Sequence, residues 1–133
     1  MHTSAVARAA GVLLGLEAAG LFVVVALQIA ALSGGDAASI DSSVALIVLT
    51  AIGAVALAAF GVAVWRGQSW GRSGGIVAQV LILAIALGAV TGAYAHPLTG
   101  LALAVPAVVV LVLLILAARR ARPDRDAGDE ASR

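Results

Sequence analysis

The chain has 133 residues, is 62% hydrophobic with a mean hydropathy of +1.12, and only 11% of its residues are charged. A soluble domain is usually about half apolar with about a quarter of its residues charged, and one this small has too much surface to hide such a composition in a core. The solvent expected for most of the chain is therefore lipid. A net charge near +1 excludes a nucleic-acid footprint, and the absence of cysteine excludes disulfides, thiolate metal sites and cysteine nucleophiles.

The first apolar run follows Arg8 and continues to Leu32. It is longer than the roughly 7–15 residues of a signal-peptide core, and the Ser33-Gly34-Gly35-Asp36 exit lacks a small-x-small cleavage pattern, so it reads as an uncleaved span over 9–32. Residues 33–43 form a polar, glycine-rich loop with two aspartates and no arginine, in which Ser42 or Ser43 can cap the next helix. A second span is expected over 44–65, close to the ~20 residues that cross a bilayer. Arg66 to Ser73 reads as a tight loop with two arginines and no acid, and a third span follows over 74–94. Residues 95–99 make a short turn containing Pro97, and a fourth span covers 99–118 with Pro106 inside it. Residues 119–133 mix arginines with acids, show no apolar period and are expected to stay disordered. The fold class is all-α: four transmembrane helices in an antiparallel bundle.

Arginine placement sets the expected topology. Arg8, then Arg66 and Arg72, then Arg119, Arg120 and Arg122 fall on one side of such a bundle, and the loops at 33–43 and 95–99 carry none. Cytoplasmic loops carry the excess positive charge, which puts both termini in the cytoplasm of a multi-pass cell-membrane protein. Trp65, Trp70 and Tyr94 fall at span ends, where amphipathic rings sit at headgroup level. The arginines at the inner helix ends suit anionic headgroups.

One acidic residue, Glu17, interrupts the first span. Ionisable groups inside a span are rare because hydrocarbon cannot solvate charge. Glu17 lies nine residues past Arg8, ~13 Å along the axis, and Gln79 lies seven past Arg72, ~10 Å, so the two share a depth and can hydrogen-bond if their helices meet. Gln28 stands eleven residues beyond Glu17, close to three turns, on the same face. Glu17, Gln28 and Gln79 are the expected intramembrane polar seam. An acid at mid-bilayer costs ~2.5–3.5 kcal/mol on insertion scales, and an interhelical hydrogen bond recovers ~0.6 kcal/mol. One glutamine does not offset an ionised Glu17, so a neutral or cavity-wetted side chain is expected, in a structural hydrogen-bonding role or, alternatively, in handling protons or substrate or in contact with a partner subunit.

Small residues recur at four-residue spacing: Gly11 and Gly15 in the first span, Ala54, Ala58 and then Gly61 in the second, Gly88 and Gly92 in the third. Small-xxx-small spacing lets backbones approach where lipid gives no hydrophobic drive to pack, and these seven are the expected helix contacts, within the chain or between copies. His96, Asp36 and Asp41 have divalent-metal chemistry but are separated by two spans, and no metal is expected. No catalytic arrangement or cofactor motif is present, so the chain is not expected to be an enzyme or to hold a cofactor.

The run Trp65-Arg66-Gly67-Gln68-Ser69-Trp70-Gly71-Arg72, followed by Gln79, resembles actinobacterial four-span integral membrane proteins of uncharacterised role; the resemblance implies the architecture and no activity. In size, span number and the single glutamate of the first span the chain is also similar to the small multidrug resistance family, which would imply dimeric, proton-coupled export of hydrophobic cations through Glu17. It departs from that family in its embedded aromatics: only Phe22 and Phe60 lie well inside spans, and a cation–π site favours tryptophan or tyrosine. The sequence thus points to a small membrane protein that acts as a structural or accessory subunit through helix–helix association, with itself or a partner subunit in the bilayer. A proton-coupled transporter using Glu17 is the alternative.

Overall fold

In the computed structural model the described residues are 4–35 and 39–133, less the side chains of 123–126. The described residues form four helices and no strand: α1 (Ala5–Ser33), α2 (Ile40–Trp65), α3 (Ser69–Thr91) and α4 (Pro97–Ala131). Each is long and apolar enough to cross a membrane. They pack as a bundle in which α1 lies against α2, α2 against α3, α3 against α4, and α4 more loosely back against α1. This is the ring expected when short connections force consecutive helices antiparallel.

The helices start and stop where backbone chemistry allows, and several ends differ from those expected. Ser4 caps α1, its hydroxyl accepting from Ala7 N at 3.2 Å. The α2 cap is Ser39, whose side chain accepts from Ser42 N; Ser42 and Ser43 lie inside the first turn instead. Ser43 Oγ donates to the Ser39 carbonyl at 2.8 Å, so its hydroxyl is used within the turn and not as a cap. The expected 66–73 loop shrinks to Arg66-Gly67-Gln68. The chain turns there through a left-handed Gly67 (φ 76°). Gly67 N donates to Val64 O at 3.0 Å and Gln68 N to Ala63 O at 2.8 Å, the paired bonds of a Schellman ending. Glycine is the one residue that takes this φ without a Cβ clash. Pro97 opens α4, where its missing N–H has no helical partner to lose.

The largest departure from expectation is the tail. Residues 119–131, expected to be without order, continue α4 as helix to Ala131. Extending a helix that already exists avoids the cost of nucleation, and alanine and arginine are strong helix formers. At 1.5 Å per residue the extension reaches about 20 Å past Ala118.

Burial is uneven along the bundle. In α1 the buried residues are Ala7, Ala10, Gly11, Leu14 and Ala18, and in α2 they are Ala54, Leu57, Gly61, Ala63 and Val64. All lie in the halves nearest Arg8 and Trp65. Leu14, Val64, Val110 and Leu114 form the sealed centre of this core. The opposite halves of α1 and α2 contain no buried residue among those described. The bundle is closed at its arginine end and open at the end carrying Asp41 and Tyr94.

Candidate functional site: a buried carboxyl–amide pair beside a lateral groove

Tight backbone crossings position the site. Gly11 and Gly61 face each other where α1 crosses α2: a Cβ on Gly61 would stand 3.1 Å from the Gly11 carbonyl and 3.3 Å from Gly15 N. Gly11 and Gly61 thus form the contact, which the Gly15 backbone borders although a Cβ on Gly15 itself would meet nothing within 4 Å, with Ala54 buried and Ala58 half-buried further along α2. Gly88 and Gly92 are placed differently. A Cβ on Gly88 would meet nothing within 4 Å, and one on Gly92 would meet only the Gly88 carbonyl of its own helix. Gly88 is exposed near the end of α3, and Gly92, its C-cap, is exposed just beyond it. Four close approaches lay outside the expected set: Gly71 against the Ala63–Val64 backbone, Gly74 against the Phe60 ring, Gly75 against Leu114 and Leu14, and Gly100 against Ala86 and Val90. Their signal in the sequence was glycine placed where a helix needs no turn, which in an alanine-rich chain is hard to separate from background.

At the arginine end the rings and cations pair. The Arg8 guanidinium lies 5.8 Å from the centre of the Trp65 ring. Phe60 and Trp70 meet edge to face at 5.9 Å. Trp70 Nε1 donates to Gln68 Oε1 at 3.1 Å, and Arg72 Nη1 donates to the Gly67 carbonyl at 3.1 Å, fixing the α2–α3 turn.

Inside the core, Gln79 Nε2 donates to Glu17 Oε2 at 2.6 Å. The bond runs from α3 to α1, across the diagonal of the ring, and is made possible by the shared depth of the two residues. Gln79 is sealed, with 0% of its surface exposed, and its Oε1 has no partner. Glu17 is only half-buried. Gln28 does not join this pair: its Nε2 donates to Thr50 Oγ1 on α2 at 3.3 Å. Thr50 Oγ1 in turn donates to the Leu46 carbonyl at 2.7 Å. The expected three-residue seam is therefore two separate pairs, one tying α1 to α3 and one tying α1 to α2. Thr50 was not singled out from the sequence, because a threonine in a helix ordinarily bonds its own preceding turn.

The free side of Glu17 lines a groove of about 320 Å³ between α1 and α4, together with Leu13, Leu16, Pro106, Val109 and Val110. Leu16, Pro106 and Val109 are exposed on the bundle surface, so the groove opens sideways and not toward either helix end. Glu17 is its sole polar side chain. Asp36 lies outside the described residues. Among those that are described, no three His, Asp or Glu residues come together as metal ligands, and His96 sits exposed at the start of α4. No protein-family model, curated protein or solved structure matches the chain.

Proposed function

We propose that this chain is a multi-pass protein of the cell membrane with both termini in the cytoplasm. In this reading it is not an enzyme and works as a structural or accessory subunit by associating with a second copy or with a partner membrane subunit. The observation that carries the reading is the uneven core: the halves of α1 and α2 beyond Ala18 and before Ala54 bury nothing within the chain. Leu27 and Leu49 are exposed there, at 64% and 67%. Gly88 adds an exposed position on α3 where a Cβ would meet nothing within 4 Å. The resemblance of the Trp65–Arg72 turn and Gln79 to actinobacterial four-span proteins belongs to the same reading. Co-purification from native membranes in a mild detergent tests it. A stoichiometric partner or a stable homo-oligomer is expected, and a chain that remains monomeric and unaccompanied overturns it.

A second reading, proton-coupled transport of a small molecule, is favoured by one feature: Glu17 opens onto a lateral groove and is not sealed in the core. Glu17→Gln separates the two. A transporter loses coupled uptake while a scaffold keeps its assembly.

A further inference from the structure

The two helical hairpins differ in apolar length. The apolar run of α1 covers residues 9–32 and that of α2 residues 44–65, ~36 and ~33 Å at about 1.5 Å per residue. The runs of α3 and α4, residues 74–91 and 98–118, are ~27 and ~32 Å. The hydrocarbon core of a bilayer is ~30 Å thick, so α3 and α4 fit it nearly upright, whereas α1 and α2 are too long. A span that exceeds the hydrocarbon tilts, and α1 spans ~30 Å of depth at a tilt of about 30–35°.

The packing leaves the longer hairpin free to tilt by itself. Close contacts between the hairpins lie toward the arginine end, with Gly71 on Val64, Gly74 on the Phe60 ring and Gln79 on Glu17. The three-residue α2–α3 connection is at the same end, held by Arg72 Nη1 on the Gly67 carbonyl. Toward the open end each hairpin is tied within itself, by Gln28 on Thr50 in one and Gly100 against Ala86 in the other. No described residue of α1 beyond Ala18 or of α2 before Ala54 is buried. Tilting the whole bundle to suit α1 would draw the already short α3 further inside the hydrocarbon. Tilting one hairpin avoids that and breaks few contacts.

We propose that the hairpins form a joint that responds to bilayer thickness. As the bilayer thins, α1–α2 swings away from α3–α4 about the arginine end, and as it thickens the open ends close. The α1 arm from Glu17 to Ser33 is ~24 Å long, so each ~10° of tilt moves its tip ~4 Å. The ligand of this device is the lipid bilayer, read by its thickness. It rests on the membrane reading above and on no partner subunit.

Spin-label distances measured by dipolar EPR test it. The chain has no cysteine, so paired cysteines report without background. Ser33→Cys with Thr99→Cys labels the open ends of α1 and α4, Ser33→Cys with Ser42→Cys labels one hairpin, and Ala5→Cys with Ser69→Cys labels the arginine end of both. The full chain is reconstituted in phosphatidylcholine with dimyristoleoyl, dioleoyl or dierucoyl tails and diluted with unlabelled chain, so that distances fall within one copy. From the thinnest to the thickest bilayer the first distance should shorten by at least ~4 Å and the other two change by less than ~2 Å. Ile29→Asn, Val44→Asn and Leu46→Asn together, all at exposed positions, trim the longer hairpin by about a turn and should at least halve the response. Should that variant fail to insert, the tail-length series decides alone. An open-end distance that ignores tail length, an equal change at the arginine end or within the hairpin, or a full response in the trimmed variant would each overturn the proposal. A chain that does not float with the vesicles overturns the membrane reading and this one with it.

Discussion

The Glu17–Gln79 bond joins two residues in unequal surroundings, and that inequality fixes the sign of a mutational experiment. Gln79 is sealed and already has one unpartnered oxygen, whereas Glu17 borders an open groove. Glu17→Met removes the bond and leaves Gln79 with both amide atoms unpaired and no exit. A buried polar group left without a partner costs ~1–3 kcal/mol. Gln79→Met removes the same bond but also deletes the unpartnered Oε1, and leaves Glu17 a side chain that can turn into the groove. Interhelical hydrogen bonds in membranes contribute ~0.6 kcal/mol on average and ~1.7 at most, so Gln79→Met should change stability by less than about 1 kcal/mol. The double variant, with an unbranched apolar side chain at each position, should return close to the parent. The insertion cost of the acid does not enter, because Glu17 stays in the bilayer in the unfolded reference state as well. Equilibrium unfolding by SDS in mixed micelles, run as a double-mutant cycle, measures all four states. With the double variant near the parent, the coupling is roughly the sum of the two single costs, about 1–4 kcal/mol, with Glu17→Met the worse single change. If Gln79→Met proves the more damaging, or the coupling vanishes, the sealed-amide reasoning is refuted.

Three further outcomes follow from the same geometry. Gly61→Ala drives a methyl into the Gly11 carbonyl and should cost ~1–3 kcal/mol as overpacking. Gly88→Ala meets open space and should be neutral, or stabilising by up to the ~1 kcal/mol difference in helix propensity; both are read by the same unfolding assay. Leu114→Ala empties a site at the centre of the core and should cost ~2–5 kcal/mol, while Leu27→Ala, mostly exposed, should leave monomer stability unchanged in a thermal melt. The chain has no cysteine, so single cysteines at Ser132 and at Thr99 report topology without background. An impermeant maleimide added to intact cells should label Thr99→Cys and spare Ser132→Cys, and the reverse pattern would invert the proposed orientation.

The gross architecture was legible because lipid imposes it. Four apolar runs of bilayer length, separated by polar or glycine-bearing breaks, leave a helical bundle as the economical fold when backbone groups must be satisfied internally. The Glu17–Gln79 pairing was legible for a similar reason. Depth along a helix is nearly a count of residues, and two polar groups at one depth seek each other. Gln28 shows where that count fails. It shares Glu17's face, but azimuth on one helix does not say which neighbour stands opposite, and its amide bonds Thr50 on α2. The glycines failed for the complementary reason. Gly11–Gly15 and Gly88–Gly92 have identical spacing, and only the helix path decides that the first pair meets Gly61 while the second faces outward. The tail was misjudged because a composition argument asks whether a segment can bury a core, whereas 119–131 needs no core to extend a helix already formed.

The distribution of these contacts bears on how the molecule works. Each helical hairpin is held by its own crossing: α1 to α2 at Gly11–Gly61, and α3 to α4 where Gly100 meets Ala86 and Val90. What joins one hairpin to the other sits mainly at the arginine end: Gly71 on Ala63 and Val64, Phe60 on Trp70, Leu14 beside Gly75, and the Glu17–Gln79 bond. Beyond Ala18 and before Ala54, neither α1 nor α2 buries a residue, and the polar contact there, Gln28 to Thr50, stays within one hairpin. Two rigid hairpins fixed at one end and free at the other can splay about that end at little cost, because few contacts break. The groove lies on the loosest side of the ring, between α1 and α4, and its polar group is the one that bridges the hairpins. On the proposed reading, a partner seated on the open end acts on the joint that Glu17 and Gln79 bridge through the angle between the hairpins, which makes that angle the quantity to measure.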